Sequence, residues 1–424
     1  MRPALDPRFC GGDDGCRKGD GVLRELTVNA APIDPVELAA ELIRRPSVTP
    51  KDEGALDIVA SRLERLGFAC HRLVFDDPGP DGEEADPIVN LYARLGSGRP
   101  NLCFAGHTDV VPVGEAAAWS CDAFEASVTG GVLVGRGAVD MKGAIAAFCA
   151  AAANAIDGGQ VKGSLSFLIT GDEEGVALDG TKRVVETLAA EGEAIDHCIV
   201  GEPTSAEVLG DMVKVGRRGS INAEIVVRGV QGHVAYPQRA ANPARVLIPL
   251  LARLQARVLD EGYPEFQPSN LEITRVEMPN AATNVIPPEA RAMLNIRFNP
   301  SHTGQGLVDW IAAEAQRAAE GTRCTVDVVP QISGEAFLTE RGDFTDLVQA
   351  VVAEVCGRAP ELSTSGGTSD ARFIRALCPV VEVGLVGVTM HQVDERTPVT
   401  EIERLQSVYE RLIGRYFEHF GAAS

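Results

Sequence analysis

SINAEIVVRG (220–229), NPARVLIPLLARLQARV (242–258), LEITRVEM (271–278), EARAMLNIRF (289–298), GLVDWIAAEAQRAAE (306–320) and CTVDVVP (324–330) follow one another along the chain, and their order decides the architecture. They read as strand, helix, strand, strand, helix, strand, which is the β-α-β-β-α-β order of a ferredoxin-like unit. The character of the sequence changes on both sides of this block, so residues 213–332 form a domain inserted into another. Upstream, residues 32–212 alternate short apolar strands with helices. NLCFAGH, SLSFLITG and DHCIVGE are the strands, and GAIAAFCAAAANAI and TKRVVETLAAE are the helices. Short apolar strands between helical patterns argue for an α/β sheet covered on both faces. The pattern resumes at 333–424 with DFTDLVQAVVAEVCG and the closing helix EIERLQSVYERLIGRYFEHF. The expected fold class is therefore α/β in two domains, one of them an inserted α+β unit.

The bulk composition fits this. The chain has 424 residues, 45% hydrophobic and 23% charged, enough for more than one domain with a sizeable core. The formal net charge of -21 argues against nucleic acid or an anionic membrane surface as the main partner. It reads first as a solvated acidic surface. An anionic substrate would need a local basic patch against that field. Ten cysteines include no C-x-x-C pair, and several lie in apolar runs, as Cys103 and Cys149 do. They read as small buried hydrophobes in a reducing, cytoplasmic setting, with no disulfide framework. No apolar run reaches transmembrane length. Residues 1–31 lack an apolar signal core and show no periodicity, so they read as a disordered tail.

The chemistry sits where strands end. His107-Thr108-Asp109 closes NLCFAG, Asp140 stands among glycines directly before a helix, and Asp172-Glu173-Glu174-Gly175 closes SLSFLIT. Glu202-Pro203 closes DHCIV. Taken singly, each admits an ordinary structural reading: a loop His and Asp, a helix-capping Asp, an acidic turn. Together they do not. Ligands in an open α/β sheet collect outside the carboxyl ends of the strands, and six metal-type side chains meet there. Zinc takes imidazole nitrogen and carboxylate oxygen, and two zincs sharing a bridging carboxylate need about this number. His391 could complete the set. Glu173, beside the ligand-type Glu174, is placed to act as the base a two-metal hydrolase requires.

Three further features stay open on the residues alone. His233 in RGVQGHVAYP is either a surface histidine in a glycine-rich turn or an oxyanion donor brought from another domain or subunit. The Ser363–Asp370 loop is either an anion site at a helix N-terminus or a plain polar turn. Arg217, Arg218 and Arg297 are candidate carboxylate clamps.

HTDVVP, GRGAVDMKG, GDEEG, GEPT, GRRGS, GVQGHVAYP, SGGTSDARF and MHQVDE, in this order, resemble the zinc-dependent M20 peptidase and deacylase family over roughly residues 33–420. The resemblance implies a zinc-peptidase-like α/β catalytic domain built from 32–212 and 333–424. It makes the ferredoxin-like insert a lid and dimerisation domain of a homodimer. It implies two Zn2+ per subunit, with Co2+ able to substitute. His107, Glu202, Glu174 and His391 would each bind one ion, and Asp140 would bridge both. Asp109 would orient His107, and Glu173 would be general base and later proton donor. His233 would reach the partner subunit's site. Arg217, Ser220, Tyr236, Asn284, Arg297, Gly367 and Thr368 match positions that hold substrate. The chain departs from many members at Gly387, where they carry Asn four residues before the last histidine. The later motifs narrow the expected reaction to hydrolysis of N-succinyl-LL-2,6-diaminopimelate. Removal of another acyl group, as from acetylornithine, is the alternative, and a non-catalytic metal-binding scaffold is the remaining one.

Overall fold

The structure, a computed structural model, describes residues 32–76 and 86–421. The expected tail, 1–31, lies outside the described residues. An eight-stranded mixed sheet forms the larger layer. Its order is Ala69–Phe75, Ile88–Leu95, Ser164–Thr170, Asn101–His107, His197–Val200, Val380–Glu382, Met212–Lys214 and Glu361–Ser363. In its middle, Asn101–His107 runs parallel to both Ser164–Thr170 and His197–Val200, and Val380–Glu382 runs parallel to the latter.

These central strands are buried on both faces, which is why they read as continuous apolar runs. Alternation sorts their side chains. Leu102 and Phe104 join the core under helix Lys142–Asp157, while Cys103 and Ala105 join the opposite core with Val184 and Leu188 of helix Thr181–Glu191. Helix Lys142–Asp157 is half alanine and almost entirely buried. Its small side chains let it lie between the sheet and the helices Pro35–Ile43 and Val399–Phe420. At the start of helix Pro35–Ile43, Asp34 Oδ1 accepts the amides of Val36 and Glu37 at 2.9 and 3.0 Å, with Pro35 in the first turn.

The inserted block builds its own antiparallel sheet, ordered Asn270–Glu277, Glu289–Phe298, Gly219–Arg228 and Thr325–Gly334. In chain order that is 2-3-1-4. Helices Ala244–Ala256 and Gly304–Ala319 cover one face, against Ile221, Ile225, Leu294, Ile296 and Phe298. The other face is polar, with Asn222 bonded to Asn295 and Glu224 bridged to Arg275 and Arg291. Entry and exit of the block run side by side, since Gly216–Arg217 pairs with Phe337–Leu338. Helix Ala371–Ile374 is only one turn long, shorter than ARFIRAL suggests. The eight cysteines among the described residues are free, and no described helix is long and apolar enough to cross a membrane.

Candidate active site

Parallel neighbours deliver their carboxyl ends to one edge of the sheet, and the site lies there. His107 ends its strand, Glu173 and Glu174 follow Ser164–Thr170, and Glu202 follows His197–Val200. Asp140 precedes helix Lys142–Asp157, and its side chain does not cap that helix. It turns instead toward the histidines. Met141 wedges between the ends of two strands. A Cβ on Gly106 would lie 2.2 Å from Met141 Cε and one on Gly201 would lie 2.7 Å from it, so both neighbours must lack one.

Two groups of three side chains meet, each with ligand atoms within 4.8 Å of one another, and they share Asp140. The first is His107, Asp140 and Glu202; the second is Asp140, Glu174 and His391. His107 Nε2 lies 3.1 Å from Asp140 Oδ1 and 3.7 Å from Glu202 Oε1. His391 Nε2 lies 2.8 Å from Glu174 Oε1 and 3.2 Å from Asp140 Oδ2. A third grouping, His107 with Glu173 and Glu174, shows that Glu173 faces the same space.

The tautomer of His107 can be read from its other nitrogen. Nδ1 lies 2.9 Å from the backbone carbonyl of Asp109, which can only accept, so Nδ1 donates. The Nε2 lone pair then faces two carboxylates. That arrangement requires a proton or a cation between them. The surrounding charges say the same. No described lysine or arginine forms an ion pair with Asp140, Glu173, Glu174 or Glu202. Burial, then the neighbouring Glu202 and Asp370, push Glu173 well above the ordinary carboxylate range. Burial and Asp140 do the same to Glu202. Hydrogen bonds to Asp140 and Glu174 raise His391 to about 10. Burial would raise Asp140, but the bonds from both histidines hold it below its usual value. A cluster of buried acids short of positive charge, with two imidazoles aimed into it, fits divalent cations.

Asp172 behaves differently from its neighbours. It is buried, and its carboxylate accepts amides of its own loop, from Val176 to Asp179. It shapes the loop that carries Glu173 and Glu174 and is not a ligand position. The Asp109 carboxylate braces the same loop by accepting the amides of Glu173 and Glu174 at 3.2 and 3.0 Å.

The remaining candidates fall into three places. Arg217 is buried and its guanidinium binds the Glu382 carboxylate, with Nε 2.9 Å from Oε2, while Nη1 donates to the Gly367 carbonyl at 2.9 Å. Ser369 also donates to Glu382, so one buried carboxylate anchors both Arg217 and the loop of Gly367 and Thr368. Ser220 lies opposite Arg297 on the polar face of the inserted sheet. Arg297 Nη1 is buried without a hydrogen-bond partner. His233, Tyr236 and Asn284 gather at an exposed corner of the insert. The Val234 amide donates to the Asn284 carbonyl at 3.1 Å, and the rings of His233 and Tyr236 are 5.8 Å apart. Among the described residues, no hydrogen bond or ion pair joins His233 to the ligand cluster; its Nδ1 accepts the Ala235 amide. Gly387, the departure from the family pattern, sits in a short turn with its amide bonded to the Ser205 carbonyl.

Sequence reasoning gave no role to Arg136, Asp370, Glu382 or Glu395, all buried around the site. Arg136 and Glu395 were visible as opposite charges within quoted motifs, GRGAVDMKG and MHQVDE.

Residues 103–415 match the model of Peptidase family M20/M25/M40. The chain is 72% identical over 388 residues to a succinyl-diaminopimelate desuccinylase of Phenylobacterium zucineum, covering 92% of this chain and 100% of that protein. Among solved structures, it is similar to an M20 family metallo-carboxypeptidase from Sulfolobus solfataricus. The TM-score is 0.73 at 16% identity, over 90% of this chain and 99% of that one. A dinuclear metal binding peptidase of the M20 family from Bacillus subtilis gives a TM-score of 0.66 at 16% identity, over 91% of this chain and 98% of that one. The chain belongs to the M20/M25/M40 peptidase family.

Proposed function

We propose that this chain hydrolyses the amide of N-succinyl-LL-2,6-diaminopimelate to succinate and LL-2,6-diaminopimelate, in the biosynthesis of diaminopimelate and lysine. The observation that carries the hydrolase reading is the pair of ligand groups sharing Asp140, with Glu173 beside them. The substrate is suggested by the 72% identical relative, which is named for that reaction. His107, Asp140 and Glu202 would hold one zinc, and Asp140, Glu174 and His391 the other, with cobalt able to substitute. When bound, such ions polarise the amide carbonyl and acidify water.

The chain's own groups do the rest. Glu173 takes one proton of the attacking water while the oxygen joins the amide carbon. It then delivers that proton to the nitrogen as the C–N bond breaks, so the amine leaves neutral. Asp109 keeps the Glu173–Glu174 loop in register through two amide bonds. Arg297, with an unpartnered buried nitrogen, and the Gly367–Thr368 loop would receive substrate carboxylates. Arg217 would support them, since its guanidinium is already engaged by Glu382 and Gly367.

His233, Tyr236 and Asn284 would serve the site of the partner subunit in a homodimer formed through the inserted domain, in the cytoplasm. The supporting observation is their grouping on an exposed corner away from their own chain's ligands. The test is a side-by-side assay of succinyl-diaminopimelate, acetylornithine and simple acyl amino acids with zinc present. Preference for acetylornithine would reassign the substrate and leave the metal site standing.

A further inference from the structure

The two ligand groups differ in how they are held. His107 and Glu202 stand at the ends of neighbouring parallel strands, where the main-chain ladder sets their spacing. His391 does not. It lies in a loop before strand Arg396–Pro398, with φ +62° at His391 and +55° at Asp394. Strand Arg396–Pro398 pairs antiparallel with Val132–Val134, and the Gly135 amide adds a bond to the Glu395 carbonyl at 2.9 Å, but Asp140 and His391 both lie several residues beyond that end of the ladder. Backbone pairing alone leaves their separation loose.

Arg136 and Glu395 close that gap. Both are almost wholly buried, at 2% and 0% exposure. Glu395 Oε1 accepts the amides of Val139 and Asp140 at 2.9 and 3.1 Å, and Oε2 binds Arg136 Nη1 at 2.6 Å. Arg136 Nη1 also donates to the Gln392 carbonyl at 3.2 Å, and Nη2 approaches the His391 carbonyl at 3.4 Å. The guanidinium lies over the Trp119 ring, 5.2 Å from its centroid. One carboxylate thus grips the backbone of the shared Asp140, and its arginine partner grips the backbone of His391.

We infer that the Arg136–Glu395 pair is a positioning device for the second metal site, fixing Asp140 against His391, while the first site shares only Asp140 with it and depends on it less. The inference rests on the two-metal reading of the ligand groups.

Stepwise cobalt titration of chelator-stripped protein, followed by visible absorption and bound-metal analysis, tests both separately. The parent must bind two ions per chain; fewer sinks the two-metal reading itself. Arg136→Met leaves a buried carboxylate unpaired, so Arg136→Met/Glu395→Gln is the companion: it removes both charges and keeps an acceptor for the two amides. Support altered around a metal ligand typically costs about 10- to 100-fold in affinity. The expected result for both variants is a loss of that size at one cobalt step, with the other step much less affected and the metal-free Tm of the double variant close to the parent. Unchanged affinity at both steps overturns the inference. So does equal loss at both steps, or a double variant that fails to fold, because the pair would then be part of the general framework.

Discussion

His107 Nδ1 is held by Asp109, but through the backbone carbonyl at 2.9 Å, and the Asp109 carboxylate stands farther off at 3.7 Å. The carboxylate is occupied elsewhere, with the amides of Glu173 and Glu174. One residue therefore sets the tautomer of His107 with its main chain and the position of Glu173 with its side chain.

Asp109→Asn should separate these two tasks. The main-chain carbonyl survives, so His107 keeps its orientation and metal content should remain near the parent's. The amide side chain has one acceptor oxygen for two loop N–H groups, so the Glu173–Glu174 loop loosens. We expect kcat to fall about 10- to 100-fold, the usual cost of altering support around a metal site. Steady-state kinetics and metal analysis on the same preparation check this, and loss of metal in step with kcat would contradict it.

Glu173→Gln keeps the size of the side chain and removes its ability to take a proton. Loss of a general base typically costs on the order of 10²–10⁴ in rate. Metal content should not change, because the two ligand groups sharing Asp140 do not include Glu173. A variant that turns over normally would remove Glu173 from the chemistry.

Stripping the metal should make the protein sensitive to rising pH. His391 is raised to about 10 in the folded chain, above the value near 6.5 of a free histidine. Its stabilising contribution is therefore complete below about pH 6.5 and lost as pH climbs through about 10. Raised Glu173 and Glu202 act in the same direction, since each prefers to be protonated when folded. The Tm of chelated protein should fall between about pH 6.5 and 10 by more than that of zinc-loaded protein. Activity should vanish on stripping and return with zinc or cobalt. Each metal must displace protons, so apparent affinity should rise by up to about tenfold per pH unit for each proton released. A flat Tm profile for stripped protein would count against the charge-starved cluster.

How much of this was readable beforehand follows from what each residue depends on. The inserted unit was legible because its strand and helix periods are local: Glu289–Phe298 buries every second residue, as its sequence suggests. The cluster was legible because parallel strand ends share one edge, so His107, Glu174 and Glu202 needed only their strands to be brought together. Asp172 was not separable from its neighbours, since its inward turn depends on loop amides that follow it. The Arg136–Glu395 and Arg217–Glu382 pairs were out of reach because their partners are 259 and 165 residues apart in the chain. Arg217 reads as a free clamp until Glu382 is seen beside it.

Mixing chains tests whether His233 acts on the partner. In a hybrid of His233→Ala with Glu173→Gln, one site retains both an intact Glu173 and the partner's intact His233. Equimolar exchange should restore about a quarter of parental activity, because half the dimers are hybrids and each has one complete site. No recovery despite proven subunit exchange would place His233 outside the chemistry.

Arg297 decides the substrate argument. The proposed substrate carries three carboxylates and one ammonium, while the protein has a net charge of -21, so binding must rest on local cations. Arg297 lies on the polar face of the inserted sheet, its Nε on Asn295 at 3.1 Å and its Nη1 buried without a partner. An unpaired buried donor is costly, and a ligand carboxylate would satisfy it. A hydrogen bond to a charged group is worth roughly 1.5–3 kcal/mol, so Arg297→Met should lower kcat/KM for succinyl-diaminopimelate about 10- to 150-fold. Zinc content should stay the same, since Arg297 belongs to neither ligand group. Acetylornithine has no succinyl carboxylate and should be a poor substrate for the parent, because a site built for that group is left with unpaired donors. If Arg297 holds the succinyl end, Arg297→Met narrows the gap between the two substrates. If it holds the carboxylate beside the amide, both substrates suffer alike, as each carries one there. An unchanged kcat/KM for succinyl-diaminopimelate would remove Arg297 from substrate binding altogether.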